Sequence, residues 1–183
     1  MQTIQSLALT LFHITQHKNK LPYTAKKLRG ENLSTSLIVL PIYTGGLWVK
    51  SMHRLEVEIL KKRSSMFLEE ARHALDRGFY DLVCFLSEQS LQLYLKALLL
   101  ELVGDYPRTH SIRHLLGELN RVLKSRELED FVVANRARLL ALEDAYLMSR
   151  YYIREYEKED AEDMIRLVEE VLSLLKKILG GRQ

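Results

Sequence analysis

The chain has little that would fix its fold covalently. Its 183 residues include a single cysteine, three prolines and eight glycines. One thiol excludes an internal disulfide and any zinc site built on several cysteines. Cys84 lies in an apolar run with no obvious neighbour to lower its pKa, so a buried structural thiol is expected rather than a nucleophile. Long apolar runs are absent too. The strongest, SLIVLPIYTGGLWV, is shorter than the roughly 20 residues a spanning helix needs. Pro41, Gly45 and Gly46 interrupt it, which favours a strand, a turn or a packed arm. No basic segment precedes a long apolar core at the N-terminus, the pattern of a secretory signal. A cytoplasmic protein without membrane association is therefore the expectation.

Charge of one sign is scarce once the chain is divided. The formal net charge is +3, but residues 1–51 hold six Lys or Arg against one Glu, which leaves the remainder at −2. A nearly neutral body excludes a broad electrostatic grip on nucleic acid, so any anion binding has to come from a local cluster. Residues 1–51 also lack helical periodicity and read as an N-terminal extension, either an arm or the product of translation upstream of Met52. Residues 52–183 read as one helical domain, long enough to bury a core without staples.

Strand signals are missing from that second region. Val57, Leu60, Phe67, Ala71, Ala74 and Leu75 recur at three- and four-residue steps, predicting a helix from about His53 to Arg77, with Gly78 as its break. A second is expected from about Tyr80 to Val103, stopped by Gly104 and Pro107. Ser111 can cap a third, and Ser125 a fourth that carries Leu128, Phe131, Val132, Leu139, Leu142 and Tyr146. The last, from about Glu159 to Leu179, places acids in its first turns and Lys176 and Lys177 in its last, matching the helix dipole at both ends. Such amphipathic helices with short links pack as an all-α antiparallel up-and-down bundle of four to five helices.

The second helix differs from the others. FLSEQSLQLYLKALLLEL is apolar on almost every side, so it belongs at the centre of the bundle, in a dimer interface, or in both. Glu88, Gln92 and Lys96 nevertheless follow one another at four-residue steps, with Gln89 beside them, and form a polar line on one face. Either that line is a solvated edge, or it is a polar seam that fixes register.

The ordered set RGFYDLVCFLSEQSLQLYLKALLLEL, THSIRHLLGEL, LEDAYLMSRYY and EDAEDMIRLVEEVLSLL, over about residues 52–180, resembles the HEPN family, the higher eukaryote and prokaryote nucleotide-binding domain. The resemblance implies a helical bundle that commonly forms homodimers and is often encoded beside a minimal nucleotidyltransferase. Some members are metal-independent RNases, including toxins of toxin–antitoxin pairs; others are non-catalytic partners or nucleotide-binding modules. The family usually has a glutamate where this chain has Gln92, a departure that weakens any role needing a carboxylate there.

RNase members resemble one another in an Arg followed, four to six residues on, by a His, a pair able to stabilise phosphate charge and move a proton. Arg150 fits the first position, but YYIREYEKED follows it without a His. Arg108 and His114 match the spacing elsewhere, at the start of the third helix. His110 corresponds to a recurrent histidine that caps or packs there. His110 and His114 are four apart but lack a third convergent ligand, so no metal and no cofactor is expected.

The segment YLMSRYYIREYEK interleaves aromatic rings with cations, able to stack a base and neutralise phosphate, although tyrosines also commonly pack at bundle ends. Tyr146, Arg150, Tyr151 and Arg154, with Lys96, are the candidate ligand contacts; Glu88, Gln89 and Gln92 are the candidate seam. The expectation is a non-catalytic, homodimeric module that binds a nucleotidyltransferase and a nucleotide or RNA. A metal-independent RNase and a purely structural dimer are the alternatives.

Overall fold

The computed structural model describes residues 45–151 and 155–181, with side chains described for residues 53–149 and 155–181. All regular structure among the described residues is helical: α1 Gly45–Asp76, α2 Tyr80–Val103, α3 Ile112–Leu123, α4 Arg126–Ala134, α5 Arg136–Tyr151 and α6 Lys158–Gly180. No helix in this part of the chain is long and apolar enough to cross a membrane.

The local signals set most of the boundaries. At the end of α1 the Phe79 N–H reaches the Ala74 carbonyl at 2.9 Å and the Gly78 N–H reaches Leu75 at 3.0 Å, while Gly78 takes a φ of +74°. This pair of bonds closes the last turn and needs a left-handed residue, which glycine supplies without a Cβ penalty. Gly104, at φ +82°, ends α2 by donating to the Leu100 carbonyl. Ser111 and Ser125 cap α3 and α4, their hydroxyls accepting from the backbones of His114 and Leu128. Glu157 and Asp160 form a reciprocal capping box at the start of α6.

Two expectations change. The helix expected from about His53 begins at Gly45, so Gly45 and Gly46 open α1 rather than breaking the chain, and residues 45–49 of the expected strand or arm are helical. The first turn has no intrahelical partners for its N–H groups, so glycine costs least there. The rest of the 1–51 extension, residues 1–44, lies outside the described residues. The expected fourth helix is two helices. At Asn135 the side-chain amide donates to the Phe131 carbonyl, the acceptor already used by the Asn135 backbone N–H. That competition interrupts the ladder. Arg138 secures the break, donating at 2.9 Å to the Asn135 side chain while also gripping Asp163 and Glu170 of α6.

At the centre stands α2, packed by α1, α3, α5 and α6. Leu91, Leu95, Leu98 and Leu99 are buried, as are Leu115, Leu116 and Leu119 of α3, Leu139 and Leu142 of α5, and Val168, Val171 and Leu175 of α6. The wide apolar coverage of α2 is thus satisfied inside one chain; Leu82, Leu102 and Val103, near its ends, remain exposed. On α1 the buried Ser64 joins the seam with α2. Ser90 Oγ donates to the Ser64 carbonyl at 2.8 Å, which leaves the Ser64 hydroxyl to donate to Ser90 Oγ at 3.3 Å. Cys84 is fully buried, and burial, with Asp160 and Asp81 adding, pushes its thiol up to about 12.

Ser87 is the exception to this polar pairing. It is fully buried, and its hydroxyl finds no hydrogen-bond partner among the described residues. Removing an unsatisfied buried group in favour of a good helix former should help, so Ser87→Ala is expected to raise the unfolding free energy by about 1 kcal/mol, read as a higher urea midpoint. At the α5–α6 contact, the Arg138 guanidinium holds the Asp163 carboxyl below its usual value, outweighing partial burial. A depressed carboxylate contributes stability that is present above its unfolded pKa of roughly 3.9 and is lost as pH falls through the lower folded value. The stability lost in Asp163→Asn should therefore be largest near neutral pH and shrink below pH ~3.9. Urea midpoints of the two chains across that range measure it.

Candidate functional site

The polar line of α2 is folded into the interior. Glu88 is 0% exposed and Gln92 only 3%, while Gln89 and Lys96 are half-buried. A carboxylate and an amide that deep need internal partners. Gln89 Nε2 donates to Glu88 Oε2 at 2.6 Å, and Gln92 Nε2 donates to Glu88 Oε1 at 2.7 Å. Lys96 Nζ donates to Gln92 Oε1 at 2.8 Å. Burial draws the Lys96 ammonium below its ordinary value, and Glu88 opposes that shift.

The line leaves α2 at Gln92. Its Nε2 also lies 3.3 Å from His110 Nδ1, in the connection before α3. The His110 ring, exposed to solvent, stacks on Tyr146 of α5 with centroids 4.3 Å apart and planes 17° from parallel. Three elements therefore meet around one amide: α2 gives the carboxylate–amide–ammonium row, the α3 approach gives an imidazole and α5 gives a phenol ring. A shallow cavity of about 220 Å³ opens beside them, lined by His110, Ser111, Glu143 and Tyr146 among others. Its floor is braced by Glu143, whose carboxylate accepts from Arg113 Nε at 2.6 Å and from the Arg113 backbone N–H at 3.3 Å. That places an anion at the N-terminal end of α3, where the helix dipole favours it.

The arrangement fixes a proton. The Lys96 ammonium has donors and no acceptor, so the Gln92 oxygen must face it. The amide nitrogen then has to face Glu88 and His110, and both of its hydrogens are donated. In the neutral ring His110 Nδ1 then accepts, which puts the ring proton on Nε2. The buried row thus selects one tautomer of an exposed imidazole.

Lys96 also lies 5.9 Å from the centre of the Tyr106 ring, and Tyr106 donates to Glu56 Oε1 at 3.2 Å. Arg150 and Tyr151 are the last residues of α5, but their side chains lie outside the described residues, and so does all of Arg154. Tyr156 is buried in the core at 7% exposure rather than presented to a ligand. His114 does not share a helical face with His110, because α3 begins at Ile112; it faces Glu118 at 3.9 Å. Ser111, not His110, is the cap. Among the described residues no three His, Cys, Asp or Glu side chains converge as metal ligands would. The residue that sequence reasoning undervalued is His110. Its distance of eighteen positions from Gln92 carries no periodic signal, and only the course of the connection between α2 and α3 brings the two together.

The tautomer is open to measurement. Nitrogen-15 shifts of His110 at neutral pH are expected to show a protonated Nε2 and an unprotonated Nδ1. In Gln92→Leu, which removes the donor, the two forms should mix. A ring that carries its proton on Nδ1 in the native chain would contradict the assignment.

Comparison with known proteins agrees with this architecture. The HEPN domain family matches residues 57–178. TT1696 from Thermus thermophilus has a crystal structure similar to 67% of this chain and 97% of its own, at 24% identity and a TM-score of 0.57. ST0689, described as an archaeal HEPN homologue, is 31% identical over 67% of this chain and 97% of its own, with a TM-score of 0.50. No curated protein matches the chain. With the family matched across most of its length and a HEPN homologue sharing nearly a third of the aligned residues, the chain belongs to the HEPN domain family.

Proposed function

We propose that this protein is a non-catalytic HEPN module: a homodimer that binds a minimal nucleotidyltransferase and, at the open end of its polar row, a nucleotide or a short RNA segment. The observation that carries the reading is the meeting of Lys96, Gln92, His110 and Tyr146 at one place on a HEPN bundle. A stacked aromatic pair can extend to a base, and Lys96 supplies positive charge for phosphate. The missing histidine after Arg150 supports the non-catalytic half of the reading.

A second reading has a specific observation in its favour. His110 brings an imidazole of fixed tautomer to the side of α5 that carries Tyr146, four residues before Arg150. A metal-independent RNase could draw its proton-transfer group from there instead of from α5.

Two experiments separate them. Co-purification with a minimal nucleotidyltransferase encoded nearby, followed by titration with nucleotides and short RNA, tests the first. Tyr146→Ala is expected to weaken nucleotide binding roughly tenfold, the scale of one lost stacking contact. If neither partner nor ligand binds, that reading fails. The RNase reading expects RNA to be cut without added metal, with activity lost in both His110→Ala and Arg150→Ala. Intact RNA after long incubation at high protein concentration removes it.

A further inference from the structure

The outward face of α1 carries apolar residues that nothing in the bundle uses. Leu55, Ile59 and Met66 are 49%, 40% and 52% exposed, on the side opposite the buried row of Val57, Leu60, Ser64 and Ala71. At 100° per residue, Leu55, Ile59, Lys62 and Met66 fall within one narrow stripe, the pattern of a helix seam rather than of scattered surface side chains. Three of the four residues beside the stripe are charged, and one flank holds an acid and a base that a reversed copy would pair. Glu56 and Arg63 are seven positions apart on one flank, and Glu58 and Ser65 are seven apart on the other.

We propose that a second copy of this chain docks antiparallel along this face of α1. The inference rests on the homodimer reading above and adds the surface that makes it. With the two-fold axis midway between Ile59 and Lys62, Leu55 of each copy meets Met66 of the other. Ile59 of each copy lies under the methylene stem of Lys62, whose ammonium stays at the rim. On the shared flank Glu56 of each copy faces Arg63 of the other, so one contact of opposite charges is made twice. A parallel pairing would set each seam residue against itself, Lys62 against Lys62 among them. The reversed copy pairs opposite charges on the shared flank and sets each Lys62 over an Ile59 instead of over another Lys62, which argues for a second copy in that direction.

The face is tested by the mass of the full chain over a range of concentrations, measured by light scattering and sedimentation. The native chain should have the mass of two copies, and Ile59→Asp the mass of one, with unchanged helical circular dichroism. Glu56→Arg and Arg63→Glu should each weaken the dimer roughly tenfold, as two rim attractions become repulsions. The combined Glu56→Arg, Arg63→Glu chain should recover it. This rescue also separates the interface from the hydrogen bond that Glu56 accepts from Tyr106, which the second substitution cannot restore. A dimer that survives Ile59→Asp, or charge reversals without rescue, overturns the assignment to α1 while leaving the homodimer reading in place. A native chain with the mass of one copy at every concentration removes both.

Discussion

Enclosure of α2 by four other helices is the constraint from which the rest follows. A helix buried on nearly every side can keep polar residues only if they satisfy one another, since an unpaired carboxylate or amide in such a place costs several kcal/mol. Glu88, Gln92 and Lys96 do this by standing in a row, each one helical turn from the next. The row is closed at its acidic end by Gln89 and runs toward solvent at its basic end through Lys96. Gln92 is its pivot. An amide can accept on one side and donate twice on the other, so it connects a buried acid, a half-buried cation and an exposed imidazole. A glutamate at this position would lack the donors to do so and would set a second carboxylate beside Glu88.

What the sequence made legible follows the range of the interactions responsible. The ends of α2, α3 and α6 depend on residues within one turn, namely Gly104, Ser111 and the Glu157–Asp160 pair, and they fall within about a residue of where periodicity and capping put them. The break at Asn135 was not legible, because Leu128 through Tyr146 keep a helical apolar rhythm across it. What interrupts the helix is an asparagine amide held by an arginine that is itself anchored on α6, a contact between distant segments. The early start of α1 was hidden differently: a glycine pair reads as punctuation unless it falls in a first turn, where it costs little.

The same distinction applies to the candidate site. The row on α2 was visible as spacing, and Tyr146 as part of an aromatic and basic segment. Their union was not visible, because it depends on how residues 104–111 cross from one helix to the next and deliver His110 against Tyr146. The apolar breadth of α2 had pointed equally to the bundle centre and to a neighbouring subunit. The bundle accounts for nearly all of it, and the surplus apolar surface lies on α1, on α5 at Leu140 and Leu147, and near the helix ends instead.

The enclosure of Cys84 has a practical consequence. Its sulfur is the only one in the chain able to form a thiolate, and at a pKa near 12 it stays protonated and shielded under ordinary conditions. Its burial leaves the native protein without an exposed thiol for maleimides and similar reagents. A cysteine introduced anywhere on its surface would be the sole point of attachment for a spin label or fluorophore, and the distances such probes report could be read without first removing a native thiol.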